Sequence, residues 1–340
     1  MERVLLYYPT IDIPNKEWLH SAILYTDKVA SIVPNNDCIH NNSTIEFLID
    51  QDQYIPIYIQ NVFGHHADEF SEFENLFIDT ASSPDFCKLS SNKAEFAKNS
   101  FKHIYQSKLT NKIIDYFQDR HLIESVGNDT IQIDGKVALL YMGILAQYVT
   151  KVTDDNLIIP STDVKAYETI SYTLVREKNP AFSFIFDKCL PVPMSHTKLE
   201  DIIAFKKKRR NELLEFRKFL TRTQDKISKA TSSQEVKEIQ VETIEAIEKE
   251  ISELEKLYKD RSIKTFFTSF ESLLKLENPK LFQSLTTIGA VTTPINPIAG
   301  IATALFGIVG GIASSYLTNN KEINRSELSY LFKAKQQGII

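Results

Sequence analysis

Glycine and proline are scarce, ten and twelve in 340 residues, which excludes a collagen-like or loop-dominated chain. Cysteine is scarcer still. Cys38, Cys87 and Cys189 are odd in number and far apart, so neither a disulfide framework nor a cysteine-based zinc site is expected, and a reducing cytoplasm is the matching compartment. An excess of positive charge is also missing: 39 Lys and Arg stand against 44 Asp and Glu, a formal net charge of -5. That balance argues against a chain built to neutralise a nucleic-acid backbone, and nucleic acid is not an expected partner. Met1-Glu2-Arg3 runs straight into a strand-like segment, so no secretory leader is expected. What is present is a folding composition, 43% hydrophobic and 24% charged with 21 Phe, enough for about two domains of ~150 residues each.

Charge and glycine divide the chain into three parts, and together they predict an α+β fold. Residues 1–195 alternate strand-like and helix-like patterns. Val4–Tyr8 ends at Pro9, a helical stretch follows from Lys16 to about Asp27, and Val29–Val33 ends at Pro34. This reads as a β-α-β unit with parallel strands, and so as an α/β domain with a parallel or mixed sheet. Tyr54–Ile59 contains Pro56, which restricts it to a sheet edge. Lys93–Arg120 has a helical pattern, Thr130–Asp134 alternates as a strand, Val137–Val152 is a core helix too short and punctuated to span a bilayer, and Leu157–Ile159 is a strand.

Residues 196–278 contain no glycine and are dense in charge. Apolar positions at three-four spacing predict two antiparallel helices, the first loaded with Lys and Arg and the second with Glu, separated by a capping box at Ser232 and Glu235. The apolar seam supplies stability; exposed ion pairs contribute about 0.2–1 kcal/mol each and select the register. Residues 279–340 form the third part. From Leu281 to Asn320 there is no charged residue in 40 positions, and five of the ten glycines lie there. Pro294 and Pro297 divide this stretch into a glycine-rich apolar hairpin, its second arm Ile298–Leu317 of bilayer-spanning length, and a short C-terminal helix follows.

Gly300, Ala304, Gly307 and Gly311 leave one face of that second arm nearly bare, the small-residue spacing at which helix backbones approach closely. The stretch fits a hairpin that self-associates or enters a membrane, and equally the shielded central helix of a soluble domain. A soluble form that hides it and later releases it satisfies both. Lys206, Lys207, Lys208, Arg209 and Arg210 would wrap all round a helix, as a solvated face neutralised by the acidic second helix or as a contact for anionic lipid. His65, His66, Asp68 and Glu69 gather metal-capable groups without a second cluster, so a polar loop is expected, and neither a metal nor a cofactor.

In a parallel α/β sheet, chemistry is sought beyond the carboxyl ends of the strands. Asp12 follows the first strand and Asp163 follows Leu157–Ile159, so the two could converge as paired carboxylates, although aspartates there are also ordinary turn residues. No phosphate-binding glycine loop, nucleophile elbow or kinase signature is present.

Tyr7-Tyr8-Pro9, Ile13-Pro14, Trp18-Leu19, Asp27-Lys28-Val29 and Ile32-Val33-Pro34, with Tyr141-Met142, Ala146, Thr162-Asp163, Leu190 to Pro193, Ile203, Phe205, Glu212-Leu213 and Phe216-Arg217, resemble an uncharacterised bacterial domain family of unknown function. The resemblance covers most of residues 4–220 and brings no catalytic residues. Because such families occur in mobile or antiviral genome neighbourhoods, it implies a defence role. The expectation is a cytoplasmic stress or phage-defence effector. A signal received by the first domain or by a sensor protein frees 281–320 to self-associate or to meet the membrane. An enzyme centred on Asp12 and Asp163, and a non-catalytic scaffold, are the alternatives.

Overall fold

A computed structural model describes residues 2–35, 38–39, 42–65, 67–84, 86, 101–127, 129–153, 157–164, 191–229 and 327–340, with a few single positions between 242 and 252. The apolar stretch 281–320, with Gly300, Ala304, Gly307 and Gly311, lies outside the described residues, as do the capping box at Ser232, His66, Cys87 and Cys189. The chain divides into two compact units. Met1–Pro14 with Thr26–Ser183 forms the first, and Asn15–Tyr25 with Phe184–Ile340 the second.

The first unit contains a four-stranded parallel sheet of β1 (Arg3–Tyr7), β2 (Lys28–Val33), β3 (Tyr54–Tyr58) and β7 (Leu157–Ser161), in the order β3-β2-β1-β7. The expected parallel pairing is present, with Val4 opposite Lys28 and Tyr7 opposite Ser31, and β7 runs parallel on the other side with Leu5 opposite Ile159. Val4, Leu5, Leu6 and Tyr7 are all buried, as the continuous apolar run of a central parallel strand requires. Pro56 lies in β3 and Pro160 in β7, the two outer strands, where a missing N–H does not interrupt an inner ladder.

A second, antiparallel sheet orders β4 (Phe101–Tyr105), β6 (Thr130–Asp134) and β5 (Ile123–Val126), with a register irregularity between Ile123 and Ser125. This corrects the helix expected over 93–120. Phe101–Tyr105 instead pairs with Thr130–Asp134, and helix begins only at α5 (Asn111–Asp119), where the Thr110 hydroxyl caps the Ile113 amide at 3.2 Å. A three-residue 3-10 turn, Gln106–Lys108, joins the two.

The core helix α6 (Gly135–Val152) is capped by Asp134, whose carboxylate accepts from the amides of Lys136 and Val137 at 2.9 and 3.2 Å. It is buried almost throughout. Its Tyr141 ring meets Phe77 at 5.2 Å and Phe73 at 5.7 Å, both edge-on, pairs that contribute about 0.5–1.5 kcal/mol each beyond burial. Phe73 and Phe77 come from α4 (Ala67–Ala81), which follows α3 (Ile59–His65). α2 (Ser43–Asp50) precedes β3. Among the described residues no helix is long and apolar enough to cross a membrane.

The second unit is helical where it is described. It joins α1 (Lys16–Tyr25), α7 (Leu199–Lys208), α8 (Arg210–Lys229) and α9 (Ser329–Gln336). Trp18, Ile23, Ile202, Phe205, Leu213, Phe216, Tyr330 and Phe332 are buried. The rings of Phe205, Phe216 and Tyr25 lie 5.2, 6.3 and 6.4 Å from Tyr330. Three side chains reach main-chain carbonyls across the unit: Tyr330 Oη donates to Leu24 O at 2.6 Å, Tyr25 Oη to Pro191 O at 2.6 Å, and Arg217 Nε to Tyr25 O at 2.9 Å. The C-terminal segment reads as polar, yet Leu328–Phe332 is fully buried.

Candidate functional site

The site is built where the strands of the parallel sheet end. The chain leaving β1 carries Thr10 and Asp12, and the Thr10 hydroxyl donates to the Asp12 carbonyl at 2.5 Å, turning the loop back. Ser31, in β2, donates to Ile11 O at 3.1 Å and shares a short hydrogen bond with the Tyr54 hydroxyl from β3. Asp12 itself is exposed. Its carboxylate accepts from Asn42 Nδ2 at 2.8 Å. The Asn42 carbonyl oxygen also caps α2, accepting from the amides of Thr44 and Ile45 at 3.0 and 3.1 Å. Asparagine suits both tasks because its amide accepts on one side and donates on the other.

Burial raises the Tyr54 hydroxyl to about 12, with the Asp12 carboxylate adding to the rise. Tyr105, at the end of β4, is raised too, by burial first, then by Cys38 beside it and by Asp12 and Asp129. Three residues on, Lys108 is 4% exposed and its ammonium lies 5.9 Å from the centre of the Tyr105 ring. Burial pushes this lysine down to about 8, with Cys38 acting weakly against the fall. Asp12 and Cys38 follow β1 and β2, Tyr54 opens β3, and Tyr105 ends β4 with Lys108 just beyond it; Asp12 acts on Tyr54 and Tyr105, and Cys38 acts on Tyr105 and Lys108. Clusters of this kind, desolvated on one side and charged on the other, concentrate at ligand and catalytic sites.

Asp163 has a different neighbour. Its carboxylate accepts from Tyr7 Oη at 2.8 Å, and among the described residues it shares no partner with Asp12. The two aspartates both follow strands, as expected, but are held separately. Cys38, Asn42, Tyr54, Tyr105 and Lys108 escape a motif search because each is unremarkable in its own segment. The legible signal is a lone lysine between the apolar positions Ile104 and Leu109.

The basic run does not lie on one helix. α7 ends at Lys208 and α8 starts at Arg210. Lys207, Lys208 and Arg210 are exposed, Lys206 is buried, and Arg209 donates to Glu212 Oε1 at 3.1 Å. Among the described residues no group of three or more His, Cys, Asp or Glu side chains could hold a metal ion.

A family model matches residues 120–337. The chain belongs to the family of unknown function DUF6236. The DUF6236 span takes in β5, β6, α6, β7 with Asp163, and all the described helices of the second unit except α1. Asp12, Cys38, Tyr54, Tyr105 and Lys108 precede it. No curated protein and no solved structure matches the chain significantly.

Proposed function

We propose that the parallel-sheet unit takes a small molecule at its carboxyl edge, through Asp12 and the groups gathered around it. The observation that carries this reading is the exposed Asp12 carboxylate, tied by Asn42 to the start of α2 and felt by the phenols of β3 and β4. A mere turn residue needs none of that company, and the carboxyl edge is where open parallel sheets hold ligands. The test is a thermal-shift screen of polar metabolites on the full chain and on Asp12→Asn. A compound that stabilises the parent and fails on the variant supports the site. Compounds that act equally on both remove Asp12 from it.

A second reading is favoured by the uncharged stretch 281–320. In this reading the chain is a stress or defence effector, and occupation of the sheet edge releases that stretch to self-associate or to meet a membrane. Lys207, Lys208 and Arg210 supply contacts for anionic lipid. Flotation with anionic liposomes, with and without deletion of 281–320, tests it. Gly307→Leu with Gly311→Leu should abolish self-association if helix backbones pack there.

A further inference from the structure

The order β3-β2-β1-β7 makes β1 the strand at which the sequence of strands reverses: the chain proceeds from β1 to β2 and β3 on one side and returns as β7 on the other. In open parallel sheets the crevice that takes a ligand lies beyond the carboxyl ends at such a reversal. The loop after β1 is drawn away from that place, toward β2. Ser31 Oγ donates to Ile11 O at 3.1 Å, and Asn42 Nδ2 donates to the Asp12 carboxylate at 2.8 Å. The junction of β1 with β7 carries Tyr7, which lies opposite Ser161, with Asp163 two residues further on. Ser31, Tyr7 and Ser161 form one row across the sheet, on the face opposite Val4 and Leu6, which join the core around α6. Tyr7 is 1% exposed, and its hydroxyl donates to Asp163 Oδ1 at 2.8 Å. Asp163 is half-buried. The turn after β7 does not require it, because Thr162 Oγ1 accepts from the Val164 amide at 3.0 Å. Among the described residues the Asp163 carboxylate has no other hydrogen bond and no ion pair.

We propose that the crevice between the carboxyl ends of β1 and β7 is the binding pocket of this sheet, and that Asp163, held by Tyr7, takes a single donor of the ligand, a hydroxyl or a primary ammonium. The inference rests on the reading of the carboxyl edge as a small-molecule site and moves its centre from Asp12 to Asp163. An ionised carboxylate only accepts, so the group it meets must donate. Oδ1 is engaged by the phenol and Oδ2 remains. One oxygen suits one donor; the fork of a guanidinium uses both. The ligand class is therefore a small polyol or amine, and neither an acid nor a guanidine.

Calorimetry on the full chain with ribose, ethylamine, acetate and methylguanidine tests this. Ribose or ethylamine should bind the parent, which separates a hydroxyl from an ammonium donor, and acetate should not bind. Asp163→Asn should weaken the bound probe about tenfold or more with the denaturation midpoint kept, because the Asn carbonyl still accepts from Tyr7. Methylguanidine should bind Tyr7→Phe more tightly than the parent, since that change returns Oδ1. A parent crystal soaked with the bound probe should show it within hydrogen-bond distance of Asp163 Oδ2, a result independent of how the variants fold. Failure of both ribose and ethylamine to bind, a probe indifferent to Asp163→Asn, methylguanidine indifferent to Tyr7→Phe, or a soaked probe lodged elsewhere overturns the assignment. A probe lost in Asp12→Asn but retained in Asp163→Asn defeats this inference and leaves the edge reading standing. Loss in Asp163→Asn with indifference to Asp12→Asn upholds the inference and removes Asp12 from the site.

Discussion

Phenols are used differently in the helical unit and at the edge of the parallel sheet. In the helical unit Tyr25 and Tyr330 donate to the main-chain carbonyls of Pro191 and Leu24, fixing α1 to the segment before α7 and to α9 through groups whose ionisation burial pushes upward. At the sheet edge Tyr7 ends on Asp163, Tyr105 lies beside Cys38, and Tyr54 bonds Ser31 within the field of Asp12. One residue type thus serves as a fastener in one place and as part of a titratable cluster in the other. The comparison teaches where to look: polar atoms that satisfy the backbone hold the fold, whereas polar atoms that face other side chains are available to a ligand.

The contrast breaks most visibly at Tyr330. Tyr330→Ala removes a fully buried ring together with its carbonyl bond and should cost about 3–5 kcal/mol. Hydrogen exchange of peptides from α1 and α9 should show the loss there and leave the β1–β2 peptides protected. Equal deprotection of the sheet would mean that the fastener serves both units.

Alkaline titration should separate the lysine from the phenols next. Lys108 has a folded value depressed to about 8 from 10.5, so the unfolded chain binds more protons between those limits and stability rises with pH across them. Lys108→Met should therefore stabilise by about 3 kcal/mol below pH 8, with the advantage fading by pH 10.5. The buried phenols act the other way in both units, Tyr54 and Tyr141 in the sheet unit included. Burial holds Tyr25 and Tyr330 above their ordinary 10.0, so the folded state keeps protons that the unfolded state releases, and stability falls once the pH exceeds 10. Denaturation profiles of the parent and Lys108→Met from pH 6 to 11 check both directions.

Smaller effects sharpen the comparison. Asn42→Ala should cost about 1 kcal/mol through the lost cap of α2, measured by chemical denaturation, and should weaken any ligand of Asp12 as well. Asp12→Asn, at an exposed position, should change stability by less than about 0.5 kcal/mol while altering binding. A large stability loss from Asp12→Asn would make that residue a fastener after all.

Local signals carried much of the fold. The β-α-β opening, the edge position of Tyr54–Tyr58 and the buried helix over 135–152 each follow from patterns within a few residues: prolines after strands, a proline inside one, and an apolar helix behind an Asp cap. Phe101–Tyr105 was less legible because its strand character depends on Thr130–Asp134, a partner about 30 residues away. The grouping of α1 with the later helices likewise depends on Phe216 and Tyr330, about two hundred and about three hundred residues on. For the site, strand-end logic found Asp12. Lys108 and Tyr105 are hidden in the sequence because the helical pattern over Lys93–Arg120 masks the end of β4.

Pro56 and Pro160 have a consequence for how copies of this protein can meet. Among the described residues, both outer strands of the parallel sheet hold a residue with no amide to donate. Growth of the sheet from molecule to molecule is therefore discouraged at either rim. Among the described residues, contacts between copies are therefore better sought on side chains and helices than along that sheet, which narrows where crosslinks should be tried.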